Sequence, residues 1–349
     1  MKPVPGKRTE TEDGSQPRRG RPWVKAAIGF TFAGVLYLGL PAVAGMSDTA
    51  ERLREGDPTW LALGVASELL SYAAYVLLFR GIFDSRSVRI DWRRSARITL
   101  AGVVATRLFA AGGAGGVVLT AWALRRSGMS RGEVAERMTA FMVLLYGVFM
   151  AALIVGGLGL HTGAFPGPSP LALTAVPAAL GAAVVAIALV AGAVPPDLTR
   201  RLPPWAGWPG RAASHVGAGV RGALRRIGGR DPRLLGAIAW WGFDIAVLWT
   251  SFRAFGDSPP VAVLTMSYFV GMLANTLPLP GGVGGVEGGM IGAFIGFDVD
   301  ASLAIIAVLS YRAIAFWLPI LPGALAYLQL RREFGHDHSM RPPPLRRRA

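Results

Sequence analysis

Pro280-Gly281-Gly282-Val283-Gly284-Gly285-Val286-Glu287 has a weaker copy 169 positions earlier, Ala111-Gly112-Gly113-Ala114-Gly115-Gly116-Val117-Val118. Four glycines and one valine coincide over the eight positions, and Leu108 and Leu277 match just upstream. Glycine in a helix interior costs about 1 kcal/mol against alanine, so neither run is expected to continue as helix. Both runs interrupt long apolar stretches, 98–123 and 261–297. Broken apolar segments at corresponding places in two halves of a chain are the sequence mark of a transporter-type binding site.

The composition around them is that of a membrane protein. The 349 residues are 52% hydrophobic and 16% charged, with a mean hydropathy of +0.43; soluble domains carry roughly 25% charged residues. The net charge of +15 would suit a nucleic-acid binder, but the basic residues cluster between apolar segments, which is the positive-inside pattern. No nucleic-acid partner is expected. The chain has no cysteine, so disulfides, thiolate metal sites and a cysteine nucleophile are excluded. Abundant arginine, alanine and glycine suggest a bacterium.

Full spans are expected at 23–44, 59–79, 138–160, 170–194, 235–256 and 302–329. The first follows Arg18, Arg19 and Arg21 and ends near Ala42-Val43-Ala44, as a signal peptide would. Its length of about 22 residues is nevertheless a spanning length, and an uncleaved helix is expected. Arginines at 80–97, 125–137 and 195–234 place those loops inside. Segment 98–123 therefore enters and leaves on the inner face, and 261–297, flanked by Asp257, Asp298 and Asp300, does so on the outer face.

The expectation is an all-α polytopic membrane protein: about six full spans plus two Gly-broken re-entrant hairpins arranged as an inverted repeat. The halves are about 59–160 and 235–329, within a domain covering 23–330. The cytoplasmic loop 195–234 carries an amphipathic surface helix near Ala212 to Ile227. Polar tails at 1–22 and 331–349 complete the chain, the first disordered. Both termini lie inside a bacterial plasma membrane.

Charges within a span cost roughly 2.5–3.5 kcal/mol each and are functional candidates by default. Here they are Glu68, Arg107, Asp244, Glu287 and Arg312. Glu68 and Asp244 are each the tenth residue of their span. Glu287 opens the helix after the outer glycine run, where it either caps that helix or acts as a counter-charge or proton site. Arg312 sits mid-span, either meeting a lipid phosphate or pairing internally with Glu287 or Asp244. Arg107 is the matching phosphate contact of the inner hairpin, or snorkels to the interface. Asn275 and the backbone N–H groups at Gly112, Gly113, Gly281, Gly282, Gly284 and Gly285 add polar groups able to cradle an anion.

Other motifs fail on chemistry. The glycine runs lack the Lys-Ser/Thr ending of a P-loop, and Gly284-Gly285-Val286-Glu287-Gly288 follows no soluble strand. Gly335-His336-Asp337-His338 lies in a polar tail with too few partners for a metal. No cofactor is expected.

Taken together, Ala111 to Gly116, Leu124-Arg125-Arg126-Ser127-Gly128-Met129-Ser130, Asn275 to Glu287, and Tyr311-Arg312-Ala313-Ile314-Ala315-Phe316-Trp317-Leu318-Pro319 carry a resemblance. Over roughly 25–330 the chain resembles the lysylphosphatidylglycerol synthase transmembrane-region family, the flippase-like membrane proteins. The resemblance implies movement of aminoacylated phospholipid, or handling of polyprenol-linked sugars. Two departures matter. Ala111 and Val118 stand where the family's inner hairpin often has a proline and an acid. No acyltransferase-like domain follows residue 330, so lipid aminoacylation is not expected.

The leading expectation is a flippase-like protein moving a phospholipid or polyprenyl-phosphate-linked lipid between leaflets, with the headgroup between the hairpins at Arg312 and Arg107. Glu287, Asp244 and Glu68 would balance charge, bind an amine or carry a coupling proton. Enzyme activity stays open: the alternatives are an integral-membrane glycosyl or headgroup transferase, and a non-transporting partner of a cell-envelope synthesis enzyme. A homo-oligomer also remains open.

Overall fold

The computed structural model describes residues 55–84, 88–108, 114–195, 207–276 and 282–335. The expected first span at 23–44, the N-terminal segment 1–22, and Gly112, Gly113 and Gly281 lie outside the described residues.

The described chain is helical. In order it forms α1 (Pro58–Phe83), α2 (Trp92–Leu108), α3 (Ala114–Arg126), α4 (Arg131–His161), α5 (Ala175–Ala193), α6 (Gly207–Gly228), α7 (Gly236–Phe255), α8 (Val261–Met272), α9 (Gly285–Gly296), α10 (Ala301–Arg312) and α11 (Ile320–Gly335). Short polar side chains start the long helices. The Asp57 carboxylate accepts from the Thr59 N–H at 2.8 Å, with Pro58 in the first turn. Ser130 accepts from Glu133 N–H at 3.2 Å, and Asp300 from Leu303 N–H at 2.9 Å. Each satisfies a backbone donor that the helix itself leaves open.

Among the described residues, five helical stretches are long and apolar enough to cross a membrane: Pro58–Phe83, Arg131–His161, Ala175–Ala193, Pro232–Phe255 and Ala301–Phe334. They match five of the expected spans. The basic segment 80–97 is partly helical rather than loop. Asp91 accepts from Arg94 N–H at 3.0 Å, and α2 therefore begins at Trp92 and carries Arg93, Arg94 and Arg97 on its first turns.

Helices α2 and α3 pack against each other, as do α8 and α9. Gly102 lies against Gly116 and Thr120 in the first hairpin, and Gly271 against Met290 and Gly289 in the second. Absent side chains let these backbones approach, as in other helix pairs in lipid. None of the four arms reaches the roughly 30 Å of a hydrocarbon core at 1.5 Å per residue; α9, with 12 residues, is about 18 Å long.

The two hairpins each have a core. Leu78, Ile82, Ile98, Leu124, Phe141 and Leu330 close around the first. Phe252, Val263, Met266, Phe269, Met290 and Phe294 close around the second. Trp241 packs against both clusters and donates to the Leu145 carbonyl at 2.8 Å. Between them α1 and α7 run antiparallel: Gly64 faces Thr250, Ser71 Oγ donates to Trp240 O at 3.0 Å, and Gly236 abuts the Ala74 carbonyl. The α1–α7 pair is the central seam of the molecule.

Helix α4 packs against the second hairpin through α8, and α11 packs against the first through α2. Helix α5 buries only Pro177, Ala178 and Gly181 among its residues and turns Leu180, Ile187 and Val190 outward. Helix α6 replaces the expected surface helix with a longer one and packs on α4 and α5. Arg221 donates to the Gly192 and Val194 carbonyls at 3.0 Å each. Apolar helices of this length, with large apolar side chains outward, make a polytopic membrane protein.

Candidate functional site

The site begins with two left-handed residues. Gly282 has φ 67° and Gly284 φ 84°, a region that a residue with a side chain enters only at a cost of roughly 1–2 kcal/mol. The turn they make starts α9 so that Glu287 occupies its first turn. Glu287 Oε2 accepts the Gly284 N–H at 2.8 Å, while Oε1 accepts Arg312 Nε at 2.8 Å. The ion pair is almost sealed, with side-chain exposures of 0% for Glu287 and 5% for Arg312. Of the alternatives open in the sequence, capping by Glu287 and internal pairing by Arg312 are both what the structure contains.

Arg312 ends α10, and the next turn is a π-helix over Ala313–Trp317. Its cause is legible in Pro319. Proline has no N–H, so Ala315 O lacks the donor that a regular i→i−4 ladder would supply. Arg107, near the end of α2, fills the gap. Its Nη2 donates to Ala315 O at 2.6 Å and its Nη1 to Phe316 O at 2.8 Å. The Phe316 ring lies 4.2 Å from the Arg312 guanidinium carbon and 5.1 Å from that of Arg107. One aromatic ring thus serves both arginines, an arrangement its quadrupole favours.

The remaining charges meet on the α1–α7 seam. Asp244 Oδ2 accepts from the Tyr311 hydroxyl at 2.9 Å and from the Tyr268 hydroxyl. Glu68 lies beside Asp244 across the seam, and Arg107 is within electrostatic reach of both and of Tyr72. Glu68 is 3% exposed and Asp244 6%. Glu68 Oε2 and the Tyr72 hydroxyl are buried without a hydrogen-bond partner.

Glu68, Arg107, Asp244, Glu287 and Arg312 thus form one connected centre, brought together from α1, α2, α7, α9 and α10. Gly282, Gly284 and Gly285 build the turn beside it. Asn275 is exposed, and its Oδ1 packs against Gly282. Sequence reasoning missed Tyr72, Tyr268, Tyr311 and Phe316. Tyr72 lies one helical turn after Glu68, and Tyr311 is next to Arg312, so periodicity and adjacency could have found them. Phe316 likewise lies four residues after Arg312, whereas Tyr268 carries no local signal, because it joins the centre only through tertiary packing.

The centre sits in a bundle with known relatives. A stretch of 91 residues is 34% identical to a protein described as "UPF0104 membrane protein" from Methanothermobacter thermautotrophicus, over 26% of each chain. The chain thus aligns with about a quarter of that relative's length. Residues 23–323 match the family profile described as the lysylphosphatidylglycerol synthase TM region. That match covers both hairpins, the seam and the whole charged centre: the chain belongs to the lysylphosphatidylglycerol synthase transmembrane-region family.

Proposed function

We propose that this protein moves a phospholipid or a polyprenyl-phosphate-linked lipid between the leaflets of a bacterial plasma membrane, with the headgroup phosphate taken at Arg107 and Arg312. The observation that carries the reading is the convergence of two arginines from different halves of the chain on the ring of Phe316. Arg107 is committed to neutral carbonyls and Arg312 to a carboxylate, and a phosphate can exchange with either. Arg107 holds two carbonyls, and a phosphodiester would offer a charged bidentate acceptor instead. Arg312 holds Glu287, which keeps its Gly284 bond when the arginine turns away.

The two halves form an inverted repeat in this reading, and the hairpins enter from opposite faces. Its support is the packing. Helix α4 leans on the first arm of the hairpin in the other half, and α11 does the same in return. The short arms are consistent with hairpins that return to the face they entered. A repeat of this kind can expose the centre to one face at a time.

A transferase would need an acid at the aqueous face as base. Of the three acids expected there, Asp300 caps α10, Asp298 sits in the turn before it at φ 60°, and Asp257 meets Arg253 at 2.8 Å on the surface; they are not drawn together into one site.

The test is leaflet exchange of fluorescent anionic, zwitterionic, aminoacylated and polyprenyl-phosphate lipids in proteoliposomes. Lipid transport predicts exchange that depends on the headgroup and exceeds that of protein-free vesicles. Equal, background exchange for every lipid with folded protein would overturn it in favour of the transferase or partner-subunit readings.

A further inference from the structure

Glu68 and Asp244 occupy the same place in their respective halves, and they touch. The antiparallel crossing of α1 and α7 pairs Gly64 with Thr250, Ser71 with Trp240 and Ala74 with Gly236, and its centre falls between Glu68 and Asp244. Equivalent residues of a two-fold repeat meet only on the axis.

The chemistry there is incomplete. Asp244 Oδ2 takes both tyrosine hydroxyls, and an ionised carboxylate can only accept. Glu68 Oε2 is sealed from solvent with no donor, which is costly for a charged oxygen. The Tyr72 hydroxyl on the same helix is also buried and unpartnered. Two ionised carboxyls side by side repel, and a single proton between them removes one charge and supplies the missing hydrogen bond.

We propose that Glu68 and Asp244 form a proton site on the axis of the repeat, and that the proton bound there is the ion coupled to lipid movement. The proposal rests on the lipid-transport reading above. The proton arrives from water at one face, bonds to a carboxylate oxygen of the pair, and leaves to water at the other; no other bond changes.

Among the described residues, the charged and titratable groups facing the pair fit this role. Arg107 comes from α2, Tyr72 from α1, Tyr268 from α8, and Tyr311 with Arg312 from α10; Glu287 of α9 is held on Arg312. With one proton on the pair, the two arginines balance Glu287 and the remaining carboxylate. A phosphate anion reaching the arginines tips that balance negative, and a further proton restores it. Binding of each ligand therefore favours the other, as linkage requires.

Infrared difference spectra of the purified protein in lipid nanodiscs test the site without reference to transport. The expected result is a protonated-carboxyl band that moves in D2O and disappears in both E68Q and D244N. The exposed-acid variant D257N should keep it. Wild-type spectra without such a band, or a band untouched by both substitutions, would overturn the proton site. In proteoliposomes an imposed pH gradient should bias lipid exchange at least several-fold in the wild type and leave E68Q indifferent. Exchange driven by a sodium gradient instead, or blind to pH, would overturn the coupling. An intact band with no lipid exchange under any gradient would overturn the transport reading while the proton site stands.

Discussion

Replacing Glu287 by glutamine removes one charge from the most enclosed ion pair of the bundle, and the cost can be worked from its geometry. Glu287 accepts two bonds, from Gly284 N–H and Arg312 Nε, each 2.8 Å long. Glutamine keeps the shape and one acceptor, but its NH2 then faces one of those two donors. A lost hydrogen bond to a charged group is worth about 1.5–3 kcal/mol. Leaving Arg312 buried without its carboxylate raises the total to about 3–5 kcal/mol. The Phe316 ring at 4.2 Å stays in place in both proteins and does not alter the difference, so E287Q should lose about 3–5 kcal/mol. R312Q should lose a similar amount, because it leaves a buried carboxylate without its guanidinium. In E287Q/R312Q two neutral amides can bond each other, and no buried charge is left unpaired. Reversible unfolding in mixed micelles of all four proteins measures the coupling. The double variant should be more stable than the sum of the singles by at least about 2 kcal/mol. Losses that simply add, within about 0.5 kcal/mol, would refute the view that the pair acts as one buried unit.

Four further outcomes follow from the structure. P319A gives Ala315 O the amide donor it lacks, so the Ala313–Trp317 turn should tighten toward regular helix and release Arg107; slower amide exchange across 315–320 and faster exchange at the end of α2 would show it. G282A forces a side chain to φ 67° against Asn275 and should cost about 1–2 kcal/mol. G292A, where a methyl meets open space, should be neutral or stabilising by up to about 1 kcal/mol in the same unfolding assay. Side-chain hydrogen bonds from Arg233 hold the Asp231 carboxyl below the ordinary carboxylate range. Its contribution is therefore present above the usual carboxylate value and lost as pH falls below about 4. At this half-buried surface site it amounts to no more than about 1 kcal/mol; D231N should flatten that acid limb of an unfolding-versus-pH titration.

The spans were legible because hydropathy reports a one-dimensional quantity. Five of the expected spans fall within the described residues and match helices there, and the second glycine run ends in the first turn of α9. The boundary at α2 was less so: the Asp91 cap turns arginines that read as loop into the start of a helix. The five buried charges were readable because each is expensive in lipid. Which of them pair was not, since Arg312 chooses Glu287 over Asp244 only once α9 and α10 are packed together. The tyrosines on Asp244 and the π-turn that receives Arg107 depend on contacts between helices far apart in sequence. Pro319 was visible, but the missing hydrogen bond it creates gains meaning only when Arg107 is seen to fill it.

The central claim is that Arg312 serves a lipid headgroup and not only the fold, and E287Q/R312Q separates the two. Its stability should recover toward wild type, so a failure to transport cannot be laid to unfolding. Leaflet exchange of the lipid moved by the wild type is the measurement. The account predicts that the double variant, although folded, exchanges that lipid at the background rate of protein-free vesicles. Exchange at the wild-type rate would contradict it, and would leave the arginine at the heart of the bundle a structural residue only.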